Sequence, residues 1–174
     1  MDVYYMPSTR RHIHLVGSLF SDVKSLLIQK MLLPLIENSA LLFYGSLREP
    51  HTPVLIDANE ITTPVWDLEY VMPDFMIFHK NPYISNEKGT KFIGCPDLIV
   101  EVWSDSNTDS LRQIKQLLYS TSPKTEHWYI TQDSNTVKCW HGKKLLNDQT
   151  LTQILKTKGG LEFDLRYLAL QDDV

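Results

Sequence analysis

Cysteine is nearly absent. Cys95 and Cys139 are too few for a disulfide framework and stand at no zinc-ligand spacing, so a reduced, cytoplasmic setting is expected. No apolar run reaches the roughly 18 residues that span a bilayer, and no signal-peptide pattern is read, so no membrane partner is expected. Positive charge is also short: 17 Lys and Arg stand against 21 Asp and Glu, a net charge of −4. That denies the chain an overall basic footprint for nucleic acid but leaves room for a local patch. Glycine is scarce, and none of it falls in a phosphate-loop, dinucleotide or GxSxG pattern. The six histidines include no HExxH. His12 and His14, two apart at a helix start, put their rings on different sides, which argues against a shared zinc. Arg10, Arg11 and His12 could bind phosphate at that helix N-terminus, with solvated charge the commoner role.

What is present is enough apolar sequence for one domain, taken as residues 1–174. Leu15, Val16, Leu19, Phe20, Val23, Leu26 and Leu27 recur at helical spacing and predict a helix ending before Pro34. Asp2 to Met6 could form an edge strand. Short strands are predicted over Leu41–Ser46, Thr52–Ala58, Glu69–Val71 and Phe75–Phe78. His79 to Phe92 reads as a long polar, mobile loop whose Lys80, Lys88 and Lys91 could meet phosphates. A central strand over Asp97–Trp103 precedes a helix from about Ser110 to Ser120. Thr125–Thr131 then returns parallel to it through a helical crossover, and Thr136–His141 is its hairpin partner. Leu151–Leu155 reads as a further strand, Gly159-Gly160 as a turn and Leu161–Leu170 as a short closing helix. The fold class is α/β, a mixed central sheet flanked by helices.

The central strand carries the chemical question. Leu98, Val100 and Val102 point to one face, and Ile99, Glu101 and Trp103 to the other. A carboxylate inside an apolar strand costs several kcal/mol unless it is paired or bound to a cation. A second carboxylate, Asp74, starts the strand Phe75–Phe78. If the two strands pair, Asp74, Glu101 and the Val102 carbonyl offer a hard cation such as Mg²⁺ three oxygen ligands and open positions for water and phosphate; Mn²⁺ is a second candidate. A strand cap at Asp74 and an ion pair at Glu101 would explain them equally well. Lys115 lies at the edge of the stripe formed by Leu111, Ile114 and Leu118, so its cation could reach over the sheet toward Glu101. Asp97 reads as a turn or cap residue, Asp105 and Asp109 as loop and cap groups, and Gln113 as solvated. Trp128, Tyr129 and Trp140 could form a homodimer interface, with ordinary core the preferred reading.

In order, these residues are Pro73-Asp74, then the run from Pro96 to Ser104 that reads PDLIVEVWS, then Lys115 with Tyr119, then Glu126-His-Trp-Tyr-Ile130. The set resembles the Uma-type restriction-endonuclease family of the PD-(D/E)XK nuclease superfamily, from about Tyr4 to His141. The resemblance implies a restriction-endonuclease-like core and Mg²⁺-dependent hydrolysis of phosphodiester bonds by an endodeoxyribonuclease, with DNA the first substrate to consider. It implies Asp74 and Glu101 as acidic metal ligands. The superfamily's usual lysine position holds Trp103, and Lys115 matches a lysine moved to the next helix. The acid expected four residues before that lysine is replaced by Leu111. Asp2 is the local match for an acidic group near the first strand. These departures leave a second reading open, a catalytically inactive nuclease-like domain that binds DNA or protein.

Overall fold

A computed structural model describes residues 12–21, 33–36, 39–44, 53–57, 68–79, 82–84, 90–104 and 107–170. Asp2, Arg10, Arg11, Lys80, Lys88, Asp105 and the helical expectation over residues 22–32 lie outside them.

Residues 12–21 form helix α1. Its Leu15, Val16 and Leu19 are buried, the face predicted by their spacing. Fourteen strands follow in the described residues, broken by one longer helix, α2, at Asp109–Ser120. The main sheet runs β1 (Leu33–Ile36), β5 (Phe75–Phe78), β8 (Leu98–Trp103), β9 (Glu126–Thr131), β10 (Thr136–His141) and β11 (Lys144–Leu145), with β12 (Gln149–Thr150) also on β10. A second sheet runs β3 (Val54–Leu55), β2 (Ala40–Tyr44), β7 (Lys91–Ile93) and β6 (Tyr83–Ile84), with β4 (Glu69–Val71) on β2. Strand β8 pairs antiparallel with β5 and parallel with β9. The parallel step needs a crossover, and α2 supplies it between the two strands.

Alternation along β8 separates two cores. Leu98, Val100 and Val102 join Phe75, Ile77, Trp128 and Ile130 under α1 and the C-terminal segment. Ile99 faces the other way with Met76, Phe78, Tyr119 and Tyr129, under α2 and the second sheet. Trp128 and Tyr129 are therefore core, as their apolar strand suggests. Thr108 caps α2, its hydroxyl accepting from the Leu111 N–H at 3.3 Å.

Several expectations need correction. The stretch from His79 to Phe92 is not one loop: it contains β6 and the start of β7, which pair with each other, and β7 also pairs in parallel with β2. Leu151 is buried, but residues 151–153 form a turn; the strands on either side are β12 and β13 (Leu155–Lys156). Leu161 to Leu170 holds β14 (Glu162–Phe163) and one 3-10 turn at Arg166–Leu168, with no α-helix. Pro34 lies inside β1, which pairs only with β5 among the described strands and so stands at a sheet edge, where a missing N–H is tolerated.

Candidate active site at the end of the central strand

The register of β5 on β8 sets Phe75 opposite Val100. One step further along that register, Asp74, just before β5, comes across from Glu101. Directly opposed side chains have their Cβ atoms roughly 5 Å apart. The two carboxylates are thus neighbours across strands, and Asp74 raises the cost of ionising Glu101.

Backbone chemistry shapes this corner. Along the strand alternate residues turn their main-chain groups to β9, as the Trp103 carbonyl does in accepting from Gln132 N–H. The residues between them, Val102 included, turn theirs to β5. Asp97, just before the strand, does both, its N–H donating to the Ile77 carbonyl and its own carbonyl accepting from Glu126 N–H. The Val102 N–H donates to Asp74 Oδ2 at 2.7 Å, and its carbonyl points to the same side. Continuing the ladder would pair Val102 with Pro73, whose nitrogen carries no proton. Pro73 therefore cannot occupy the Val102 carbonyl, and Asp74 takes up the adjacent N–H.

Glu101 is 2% exposed and anchored from α2. Lys115 Nζ lies 2.9 Å from Oε1 and 2.8 Å from Oε2, and the Tyr119 hydroxyl donates to Oε1 at 2.5 Å. Lys115 and Tyr119 are four residues apart, one helical turn, so both project onto the same spot. Burial pushes the Glu101 carboxyl above its ordinary range. Lys115 pulls it back down, Asp74 pushes it up again, and the hydrogen bonds from Lys115 and Tyr119 favour the charged form. Burial, then the charge of Glu101, holds the Tyr119 hydroxyl protonated. Behind it, Tyr129 is likewise held protonated by burial and by Glu101. Trp103, at the usual lysine position, packs on Tyr129 with ring centroids 4.2 Å apart. The Arg112 guanidinium covers Trp103 at 5.2 Å from the ring centroid and donates to the Ser104 carbonyl at 2.7 Å.

The structure thus brings Asp74, Glu101, Lys115 and Val102 to one corner. It leaves Asp97 outside that corner, where Asp97 Oδ2 accepts from the His79 N–H at 2.6 Å as a cap. Asp109 and Gln113 are exposed on α2. Lys91 lies in β7, over the Tyr70 ring at 5.9 Å. Tyr119 completes the Glu101 anchor without having stood out as a site residue; its spacing from Lys115 was the available signal. The sequence offers His12 only as a phosphate or zinc group; in the fold its Nε2 lies 3.2 Å from Asp74 Oδ1.

No three His, Cys, Asp or Glu side chains among the described residues converge as a metal cluster. The candidate donor set is smaller and all oxygen: Asp74, Glu101 and one main-chain carbonyl. It fits a hard divalent cation, which needs few protein ligands and keeps several waters. Among the described residues, Oε2 of Glu101 receives only the Lys115 bond and Asp74 Oδ2 only that of Val102, which leaves each carboxylate acceptor capacity.

The Uma2 family pattern, described as "putative restriction endonuclease", matches residues 37–168, which spans this corner and most of the chain. The chain belongs to the Uma2 family. The Uma2 chain is also similar in fold to a 1.96 Å crystal structure from Anabaena variabilis ATCC 29413, described as a "putative nuclease belonging to DUF820". The two share 16% identity at a TM-score of 0.64, over 95% of this chain and 84% of that one. No curated protein sequence matches this Uma2 chain.

Proposed function

We propose that this chain is a divalent-metal-dependent nuclease that hydrolyses phosphodiester bonds, with DNA as substrate, Mg²⁺ or Mn²⁺ as metal and the cytoplasm as its setting. The observation that carries this reading is Asp74 bonded to the Val102 N–H, next to Glu101, with the Lys115 ammonium on the Glu101 carboxylate. Asp74, Glu101 and the Val102 carbonyl would hold the cation. When bound, the cation polarises the phosphoryl oxygen and lowers the pKa of a coordinated water.

The chain's own groups do the rest. Lys115 carries a proton-rich cation to the rim of the carboxylate pair, where it can donate to a phosphate oxygen or to the attacking water. This offsets charge that grows on phosphorus during attack. Tyr119 holds Glu101 in place from below and keeps it oriented while Lys115 shifts between partners. Trp103 and Tyr129 close the floor with apolar surface, which strengthens each charge interaction above it. All these groups come from one chain, so the reading does not need a homodimer.

The same anchor motivates a rival reading. Lys115 already bonds both Glu101 oxygens, and a permanent ion pair there would leave an inactive DNA- or protein-binding domain. Cleavage of duplex and single-stranded DNA under Mg²⁺ and Mn²⁺ titration decides between them. The nuclease reading expects metal-dependent cleavage by the parent and a loss on the order of 100-fold or more in Asp74→Ala, Glu101→Ala and Lys115→Ala. Equal cleavage by all four proteins rejects these assignments. DNA binding with no cleavage and no metal uptake favours the inactive domain.

A further inference from the structure

We propose that Arg112 binds a backbone phosphate of the substrate strand, beside the phosphate taken at the metal corner, an inference that deepens the nuclease reading above and rests on it. Arg112 and Lys115 are three residues apart on α2, so they share a helix face with Cβ atoms roughly 5–6 Å apart. The strand beneath advances in step. Lys115 contacts Glu101, and the Arg112 guanidinium lies over Trp103, two residues further along β8. Side chains two apart on a strand stand on one face, roughly 6–7 Å from each other. The two cations thus form a short row that starts at Glu101 and runs toward the N-terminus of α2.

Arg112 carries more donors than the fold uses. A guanidinium has five N–H groups and keeps its charge at any working pH. Here Nη2 donates to the Ser104 carbonyl at 2.7 Å. Among the described residues, Nε is buried with no hydrogen-bond partner, and Nη1 makes no hydrogen bond. The carboxylate beside it, Asp109, is 3.8 Å from Nη1 and 89% exposed, a contact that water screens. The Arg112 side chain itself is only 24% exposed. A cation withdrawn this far from water, with one neutral carbonyl and one indole face for support, lacks a full counter-charge. It also stands in the first turn of α2, where the helix dipole disfavours a cation and favours an anion. A phosphodiester supplies what is missing, a negative charge and paired acceptors that match the guanidinium fork. The surface under the guanidinium is fixed, because Trp103 is itself packed on Tyr129.

Fluorescence anisotropy of a labelled DNA duplex with the full chain tests the contact, in chelator and in Ca²⁺, over a series of NaCl concentrations. Losing one phosphate contact flattens the slope of log affinity against log salt by about 0.9 on duplex DNA. Arg112→Gln should weaken binding roughly 3- to 10-fold near 0.1 M NaCl and flatten the slope by that amount. Arg112→Lys, which keeps the charge and loses the fork, should keep the parent's slope. A merely structural contact would leave the slope alone, so weaker binding by Arg112→Gln at the parent's slope would overturn the proposal. Parent-like affinity and slope in Arg112→Gln would overturn it too and leave the metal corner standing. So would a slope that flattens equally in Arg112→Lys. A parent that binds no DNA in either buffer would remove the nucleic-acid reading and the phosphate contact together. If Arg112→Gln does not fold, Arg112→Met, neutral and able to pack on the indole, carries the decision.

Discussion

The Lys115 ammonium straddles the Glu101 carboxylate, in contact with both oxygens. The pair is nearly dry, with side-chain exposures of 14% and 3%. Removing one partner of such a pair strands the other in low dielectric, at a cost of about 3–5 kcal/mol. Lys115→Met should therefore lose stability of that order in urea unfolding without metal. Adding Glu101→Gln to it should return part of the loss, because the uncompensated charge is then gone. A Lys115→Met protein within about 1 kcal/mol of the parent would contradict this.

His127 carries the clearest pH dependence. Its Nε2 lies 3.0 Å from the Gly142 carbonyl, which can only accept, so Nε2 bears the proton and Nδ1 accepts from the Tyr129 hydroxyl at 2.7 Å. Burial depresses its pKa from 6.5 to about 4. The unfolded chain takes up this proton first as pH falls. The contribution is therefore present above pH 6.5 and lost between 6.5 and about 4, on the order of 3 kcal/mol. Glu126, raised by burial, acts with the opposite sign: its contribution is full below its unfolded pKa and is lost as pH rises. Comparing the parent with His127→Gln isolates the histidine. The stability gap between them should shift by about that amount against the parent from pH 7 to 4. A constant gap would mean that His127 takes up its proton as readily in the fold as in the unfolded chain.

Gly142 closes the turn between β10 and β11 at φ +54°, a left-handed conformation. A Cβ there would meet Pro123 Cα at 3.1 Å and the Ser122 carbonyl at 3.3 Å, both backbone. Gly142→Ala should cost about 2 kcal/mol or more from the left-handed backbone and the crowding together. For a chain of this size that lowers the melting temperature by roughly 4–8 °C. A melt unchanged within 1 °C would show that the turn rebuilds itself.

The parts legible in the sequence are those where one strand or helix carries its own signal. The alternation of β8, the parallel return of β9 and the span of α2 could all be read locally. Lys115 was legible only in part: it does reach Glu101, but Leu111 of the stripe that placed it is exposed, and the buried residues of α2 are Leu118 and Tyr119. The strands β6 and β7 could not: Lys91 to Ile93 is three residues long and is held by pairing with Ala40 and Leu41, some fifty residues earlier. Short strands near Leu155 and Phe163 escaped for the same reason, since burial there comes from packing on the main core and not from a long alternating run. His12 was hidden because its contact lies sixty-two residues away, across an angle that only the docked helix defines.

Pro73 gives the corner its opening. A backbone amide in its place could zip the sheet shut by one more rung and quench the Val102 oxygen. In the motif Pro-Asp, the ring keeps that gap unlaced while the acid beside it tends the opposite hydrogen, so two adjacent residues together decide where regular structure ends and reactivity can begin.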